Sequence, residues 1–238
     1  SNNMHGVAYN AGLVVGAMNF YPDDKISARY IAAALDYVSS QSAKVINNSW
    51  AFTSETLDPL VDYQNFSSNL PIVISAINTV LDRGSVLVFA AGNEAAANPA
   101  SPSTVPFHDP GVGAKGGFIV VAATTNDGMS LASYSNRCGV SKEYCIAAPG
   151  GDEIAGQPFS ATGILGADRD SNTGYFYQNG TSISAPVVSG AVALVAEQFP
   201  WMTNKNLGVT ILSTGTRAVN PDVEWGRGLL DVGKAIQG

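Results

Sequence analysis

The chain predicts an α/β domain with a mostly parallel sheet, and three observations carry that expectation. Short apolar runs of strand length alternate with longer stretches whose apolar residues recur at helical spacing. The connections between them are short and marked by glycine, proline and asparagine. With 238 residues, 45% hydrophobic and 13% charged, the chain can bury a sizeable core as one domain or as most of a larger one.

The elements follow in order. Leu13 to Met18 reads as a buried strand, and residues 27–39 repeat Ile31, Leu35 and Val38 at helical spacing. Lys44 to Trp50 is a second strand, apolar first and polar at its C-terminal end. A helix follows with both ends marked: Pro71 near its start, Val73, Ile77, Val80 and Leu81 along one face, and Gly84 just beyond Arg83. Val86 to Ala91 is a third strand, ending at Gly92-Asn93, and Phe118 to Ala123 a fourth. Residues 179–198 and 204–213 read as helices, and Trp225-Gly-Arg-Gly-Leu-Leu-Asp closes the chain. No repeat, low-complexity tract or linker interrupts it, so residues 1–238 are expected to form one unit.

Composition excludes several functions. A net charge of −7, with 12 Lys and Arg scattered along the chain, lacks the basic face that a phosphate backbone requires, so nucleic acid is not an expected partner. No run of 18 apolar residues predicts a membrane span. No charged and apolar leader opens the sequence, so an export signal is expected outside residues 1–238. Two cysteines, Cys138 and Cys145, have no second pair and no histidine neighbour to make a metal site. On their own they leave open free buried thiols or a small-loop disulfide.

The most informative stretch is Asn179-Gly-Thr-Ser-Ile-Ser-Ala-Pro-Val-Val-Ser-Gly190. Gly180-Thr181 delivers Ser182 to the start of a long apolar run (Val187, Val188, Ala191, Val192, Leu194, Val195) with the length of a buried helix. A serine there lies beside unpaired backbone N–H groups and the positive end of the helix dipole, which would stabilise negative charge developing at its Oγ. Taken alone, the position reads as an N-cap, serine's commonest role there. Asn93, where a buried strand emerges in Ala90-Ala-Gly-Asn-Glu94, reads alone as a turn residue. Trp50 alone divides evenly between a core residue and part of a site.

Together these segments resemble the subtilases, the subtilisin-like serine peptidases. Gly-Thr-Ser-x-Ser-Ala-Pro resembles the family's nucleophile segment, which implies Ser182 as nucleophile, and Pro186 matches the proline four residues on. Ala-Ala-Gly-Asn-Glu resembles the motif whose asparagine donates to the oxyanion, implying Asn93 as side-chain donor and the Ser182 N–H as a second donor. Asn47-Asn-Ser-Trp-Ala51 is similar to the strand end that pairs with an extended substrate. This implies Ser49, Trp50 and Ala51 along one side of a peptide and Ala91 and Gly92 along the other. The family usually has glycine where this chain has Ala51, so a Cβ enters a place of close backbone approach. No Gly-x-Ser-x-Gly elbow is present to anchor an α/β-hydrolase alternative.

The cysteine segment, Cys-Gly-Val…Cys-Ile-Ala-Ala-Pro-Gly, resembles subtilases carried as passengers by Gram-negative autotransporters. That implies a Cys138–Cys145 disulfide, an oxidising compartment, and a secreted or cell-surface location. The fold so implied is a three-layer subtilisin-like α/β fold, truncated at its N-terminal side.

A serine hydroxyl needs a histidine to take its proton and a carboxylate to orient that histidine. The only histidines are His5 and His108. His5 lies in a Gly-Val-Ala-x-Asn-Ala segment that follows the catalytic-histidine helix in the family, without the His-Gly-Thr-His pattern. His108 lies in a proline-bracketed loop and is expected to be solvated. The family order of Asp, His, Ser implies both missing elements upstream of residue 1, so this chain alone is expected to be inactive. It is also expected to expose a sheet edge and to self-associate there.

Asp168, Asp170 and Asn172 have the alternate spacing of a calcium loop, but the twelfth position is Asn179 rather than Glu, and an ordinary polar hairpin turn is favoured. No cofactor is required by the chemistry implied. The resulting expectation is a serine endopeptidase acting on peptide or protein substrates through an acyl-enzyme on Ser182. A degenerate subtilase serving as a binding or scaffold domain of a surface protein is the alternative, and a structural passenger presenting other modules is a third.

Overall fold

The strands β1 (Val45–Asn48), β2 (Val86–Ala90), β3 (Phe118–Thr124) and β4 (Cys145–Pro149) lie side by side in that order, all parallel, in a computed structural model that describes residues 5–20, 24–52, 59–168 and 170–237. Every residue of β2 and β3 is buried, which accounts for their unbroken apolar runs, since parallel strands are covered on both faces. Alternate side chains divide between two cores. Leu87, Phe89, Val120 and Ala122 belong to one, and Val86, Val88, Val121 and Ile146 to the other.

The first core is covered by α1 (Asp24–Ser40), α2 (Pro59–Asn69), α3 (Pro71–Asp82), α4 (Val105–His108) and α5 (Pro110–Lys115). Proline at the first position of α3 replaces an N–H that has no intrahelical partner. A glycine at φ +86° turns the chain just beyond the helix, at Gly84. Beyond β4 come α6 (Phe159–Thr162) and a two-stranded antiparallel hairpin, β5 (Ile164–Ala167) and β6 (Tyr175–Gln178). The second core is closed by α7 (Thr181–Gln198), α8 (Asn204–Thr214) and α9 (Val232–Ala235). The result is the expected three layers, with α7 packed across all four strands.

Among the described residues one expected strand is absent, and one unexpected strand takes its place in the sheet. Leu13 to Met18 is not a strand: residues 11–20 have no regular structure, and Leu13 and Val15 are 90% and 81% exposed. The segment lies across a groove of about 1120 Å³ from β1, lined by Val7, Leu13, Met18, Val38, Ile46 and Pro186 among others. Among the described residues no ladder pairs with this run, and apolar composition alone does not make a strand. The fourth sheet strand is instead β4, whose Cys-Ile-Ala-Ala-Pro sequence has little β-branched character to announce it. Near the C-terminus of the chain, Gly228 O accepts from Ala147 N (2.8 Å) and Leu230 N donates to Ala147 O (2.8 Å), which places this segment along the far side of β4.

Cys138 and Cys145 are joined as a disulfide around a 3-10 helix at Gly139–Tyr144. Asp168 and residues 170–174 lie at the hairpin turn between β5 and β6. Asp168 Oδ1 accepts from Asp170 N (2.9 Å) and Ser171 Oγ from Gly174 N (2.9 Å), so these oxygens serve the turn itself. Among the described residues no helix is long and apolar enough to cross a membrane.

Candidate active site

The carboxyl ends of β1 and β2 and the N-terminus of α7 converge at one place, where an open parallel sheet binds ligands. The helix begins at Thr181, so Ser182 is its second residue, half-buried, with a first-turn N–H that has no intrahelical carbonyl to bond. Gly180 precedes it at φ +142°, ψ +154°, a backbone state open essentially to glycine alone.

Pro186 sits inside α7 and lacks the N–H that would bond Ser182 O one turn back. That carbonyl is met from the sheet instead: Ser49 Oγ donates to it at 2.9 Å. Asn47 Nδ2 in turn donates to Ser49 Oγ (2.9 Å), and Ser189 Oγ donates to Asn47 Oδ1 (3.1 Å). The polar end of β1 therefore ties the first turn of α7 to the strand.

Asn93 is exposed at the end of β2. Its Oδ1 accepts both the Thr181 N–H (2.9 Å) and the Thr181 hydroxyl (2.8 Å). With the oxygen committed to two donors, the amide Nδ2 is left to donate. Thr181 Oγ1 also accepts from Gly92 N at 3.2 Å, so one side chain holds two consecutive residues. Gly92 is itself confined: at φ +110°, an added Cβ would lie 2.6 Å from the Glu94 carboxylate and closer still to Asn136 Nδ2.

Asn136, 1% exposed, completes this loop. Its Oδ1 accepts from Glu94 N (3.0 Å) and Ala96 N (2.9 Å), while its Nδ2 donates to Glu94 Oε2 (2.7 Å) and Ala91 O (3.1 Å). Ala91 and Gly92 already have main-chain partners, since Ala91 N donates to Val121 O and Gly92 O accepts from Asn136 N. They form a wall. On the other side the Trp50 indole, 9% exposed, packs edge-on to Phe89 and Phe52 and donates its N–H to Asn48 Oδ1 at 3.1 Å. That side chain belongs to the core, and Ser49, Trp50 and Ala51 have their backbone to offer a peptide.

The structure brings Ser182, Asn93, Ser49 and Gly92 into one network. The two histidines lie elsewhere. His108 is stacked on Tyr63 with ring centres 4.7 Å apart, on the side of the sheet opposite α7, and His5 stands against Tyr9. Sequence reasoning missed Thr181 and Asn136 as the residues that orient Asn93 and its loop. The motif itself contained Thr181, whereas Asn136 carries no local signal.

A family model described as the subtilase family matches residues 1–228. Serotype-specific antigen 1 of Mannheimia haemolytica is 31% identical over 214 residues, covering 87% of this chain and 22% of that protein. The Neisserial autotransporter lipoprotein NalP of Neisseria meningitidis serogroup B is 32% identical over 174 residues, 67% of this chain and 15% of that one. Subtilisin E of Bacillus subtilis is 30% identical over 229 residues, covering 94% of this chain and 52% of that protein. The chain thus spans 22% and 15% of the length of the first two relatives. Among solved structures, the self-cleaved protease domain of PatA superposes with a TM-score of 0.66 at 22% identity, over 91% of this chain and 70% of that one.

Proposed function

Because this chain belongs to the subtilase family of serine peptidases, we propose that residues 1–238 are the larger, C-terminal part of an endopeptidase catalytic domain whose nucleophile is Ser182. In this reading Ser182 Oγ gives its proton to the base and attacks a peptide carbonyl; the C–N bond then breaks, the amine leaves with that proton, and water hydrolyses the acyl-enzyme. Asn93 Nδ2 and the Ser182 N–H donate to the oxyanion. The backbone of Ser49, Trp50 and Ala51 pairs with an extended substrate, while Ala91 and Gly92 bound the opposite side. The chemistry calls on no metal or cofactor.

The observation that carries this proposal is the Asn93–Thr181 contact. Its two hydrogen bonds to Oδ1 turn the amide donor outward beside the N-terminus of the helix that carries Ser182. The base and the carboxylate that orients it are proposed to come from polypeptide outside residues 1–238. Support comes from His108 and His5, which are engaged with Tyr63 and Tyr9, and from the groove beside β1, which offers room for a further segment. A secreted or cell-surface location in a Gram-negative bacterium fits the disulfide and the autotransporter relative.

The test is to treat the full-length protein with a fluorophosphonate and map the adduct. Labelling at Ser182 that vanishes in Ser182→Ala is the expected result. Asn93→Ala should lower kcat by about two to three decades, a magnitude established on subtilisin itself. An unlabelled Ser182 in full-length protein overturns the peptidase assignment in favour of a binding or scaffold domain.

A further inference from the structure

Tyr134 reaches the loop that carries Ser182. It lies in a loop after β3, half-buried, and its hydroxyl is surrounded by main chain. The oxygen accepts the Gly180 N–H at 2.7 Å. Its proton is directed at Gly151 O (2.8 Å), with Gly150 O alongside at 3.0 Å. One phenol thus links the end of β4 to the glycine two residues before Ser182.

The neighbours of Tyr134 make this a fixed point. Ser133 N and Oγ donate to the two oxygens of the buried Asp152 carboxylate at 2.7 and 2.8 Å. Ser135 Oγ accepts from Ala123 N at 2.9 Å, and Asn136 holds the loop of Asn93. Residues 133–136 therefore anchor both halves of the site. A phenylalanine would fill the ring's space equally well, so the hydroxyl needs its own explanation. Burial, and then the charge of Asp152, push its ionisation well above the usual tyrosine range, although the Gly180 N–H pulls the other way. The oxygen keeps its proton and can accept and donate together.

We propose that Tyr134 is a positioning residue for Ser182, its hydroxyl holding Gly180 in the extended glycine-only conformation that aims the serine Oγ. Gly180 has the widest conformational freedom of any residue type, and one further N–H bond, to Gly150 O at 3.0 Å, restrains it. Losing the phenol leaves the loop folded but less tightly held, and small misplacements of a nucleophile lower rate steeply.

The inference rests on Ser182 being the nucleophile, and the experiment separates the two. In the full-length protein, Tyr134→Phe is expected to lower kcat and the rate of fluorophosphonate labelling by about tenfold, with KM within about twofold and the same final labelling stoichiometry. Replacing Tyr134 by 3-fluorotyrosine, which keeps the hydroxyl, should restore the rate. Unchanged kcat in Tyr134→Phe, a loss carried by KM, or no rescue by fluorotyrosine overturns the proposal while Ser182 still labels. If Ser182 of the parent protein does not label, the nucleophile assignment falls and this inference with it.

Discussion

At the scale of the residue, the site is organised by Thr181 as much as by Ser182. A threonine methyl and hydroxyl are nearly isosteric with the two methyl groups of valine, so Thr181→Val isolates the hydroxyl. The substitution removes the bond to Asn93 Oδ1 and leaves the buried Gly92 N–H without its acceptor, while the Thr181 N–H still reaches Asn93. In full-length protein kcat should fall about tenfold with little change in KM, because the proposed oxyanion donor, Asn93, is loosened rather than removed. Steady-state kinetics on a peptide substrate would check this, and an unchanged kcat would deny Thr181 that part. Ser182 and Asn93 could be singled out from the sequence because each sits in a contiguous motif. Tyr134 and Asn136 were not, because their partners lie 46 and 42 residues away, and nothing in Ser-Tyr-Ser-Asn announces a contact at that range. Trp50 shows the reverse limit: its motif marked a strand end, but its side chain went to the core.

At the scale of the element, β1 and α7 are joined through a defect in the helix. Pro186 denies Ser182 O its intrahelical partner and Ser49 supplies another. Ser49→Ala should therefore destabilise the protein by about 1–3 kcal/mol, the range for a polar group left unpaired. In a Pro186→Ala background the helix can bond its own carbonyl, and the same Ser49→Ala change should then be nearly neutral. A double-mutant cycle by urea denaturation reads the coupling directly, and additive effects would sink the argument. Elements whose boundaries carry chemistry were legible, as α3 was from Pro71 and Gly84. Membership of the sheet was not. Leu13 to Met18 has the better strand composition and β4 the worse, but pairing is decided by which backbone lies alongside.

At the scale of the whole molecule, the dominant property is that β1 ends the sheet with its outer edge unpaired among the described residues. β1 presents its outer edge to a groove, and across it Leu13 and Val15 are largely exposed. Unpaired strand edges beside apolar surface promote association. Residues 1–238 alone should therefore self-associate, and should hydrolyse peptides negligibly, since the base is proposed to lie outside them and loss of the base from a triad costs about six decades, a value itself measured on a subtilisin. Sedimentation velocity should show concentration-dependent dimers or larger species, which Val15→Lys should diminish. A clean monomer at high concentration would count against the exposed edge as an adhesive surface. The three-layer plan was legible from alternating strand and helix patterns, but this opening was visible only once β1 was seen at the margin.

The Ser49–Ser182 hydrogen bond also bears on the order of assembly. It joins residues 133 positions apart, and the Asn93–Thr181 bonds join residues 88 apart. Every ladder of the sheet pairs strands separated by a crossover, so chain closure must be met before contact energy accrues. During synthesis β1, β2 and β3 emerge well before α7 does, and the proposed nucleophile cannot be aimed until that helix docks across strands already in place. The geometry proposed for catalysis is thus among the last features to form on the nascent chain, and a newly made motif precedes its site.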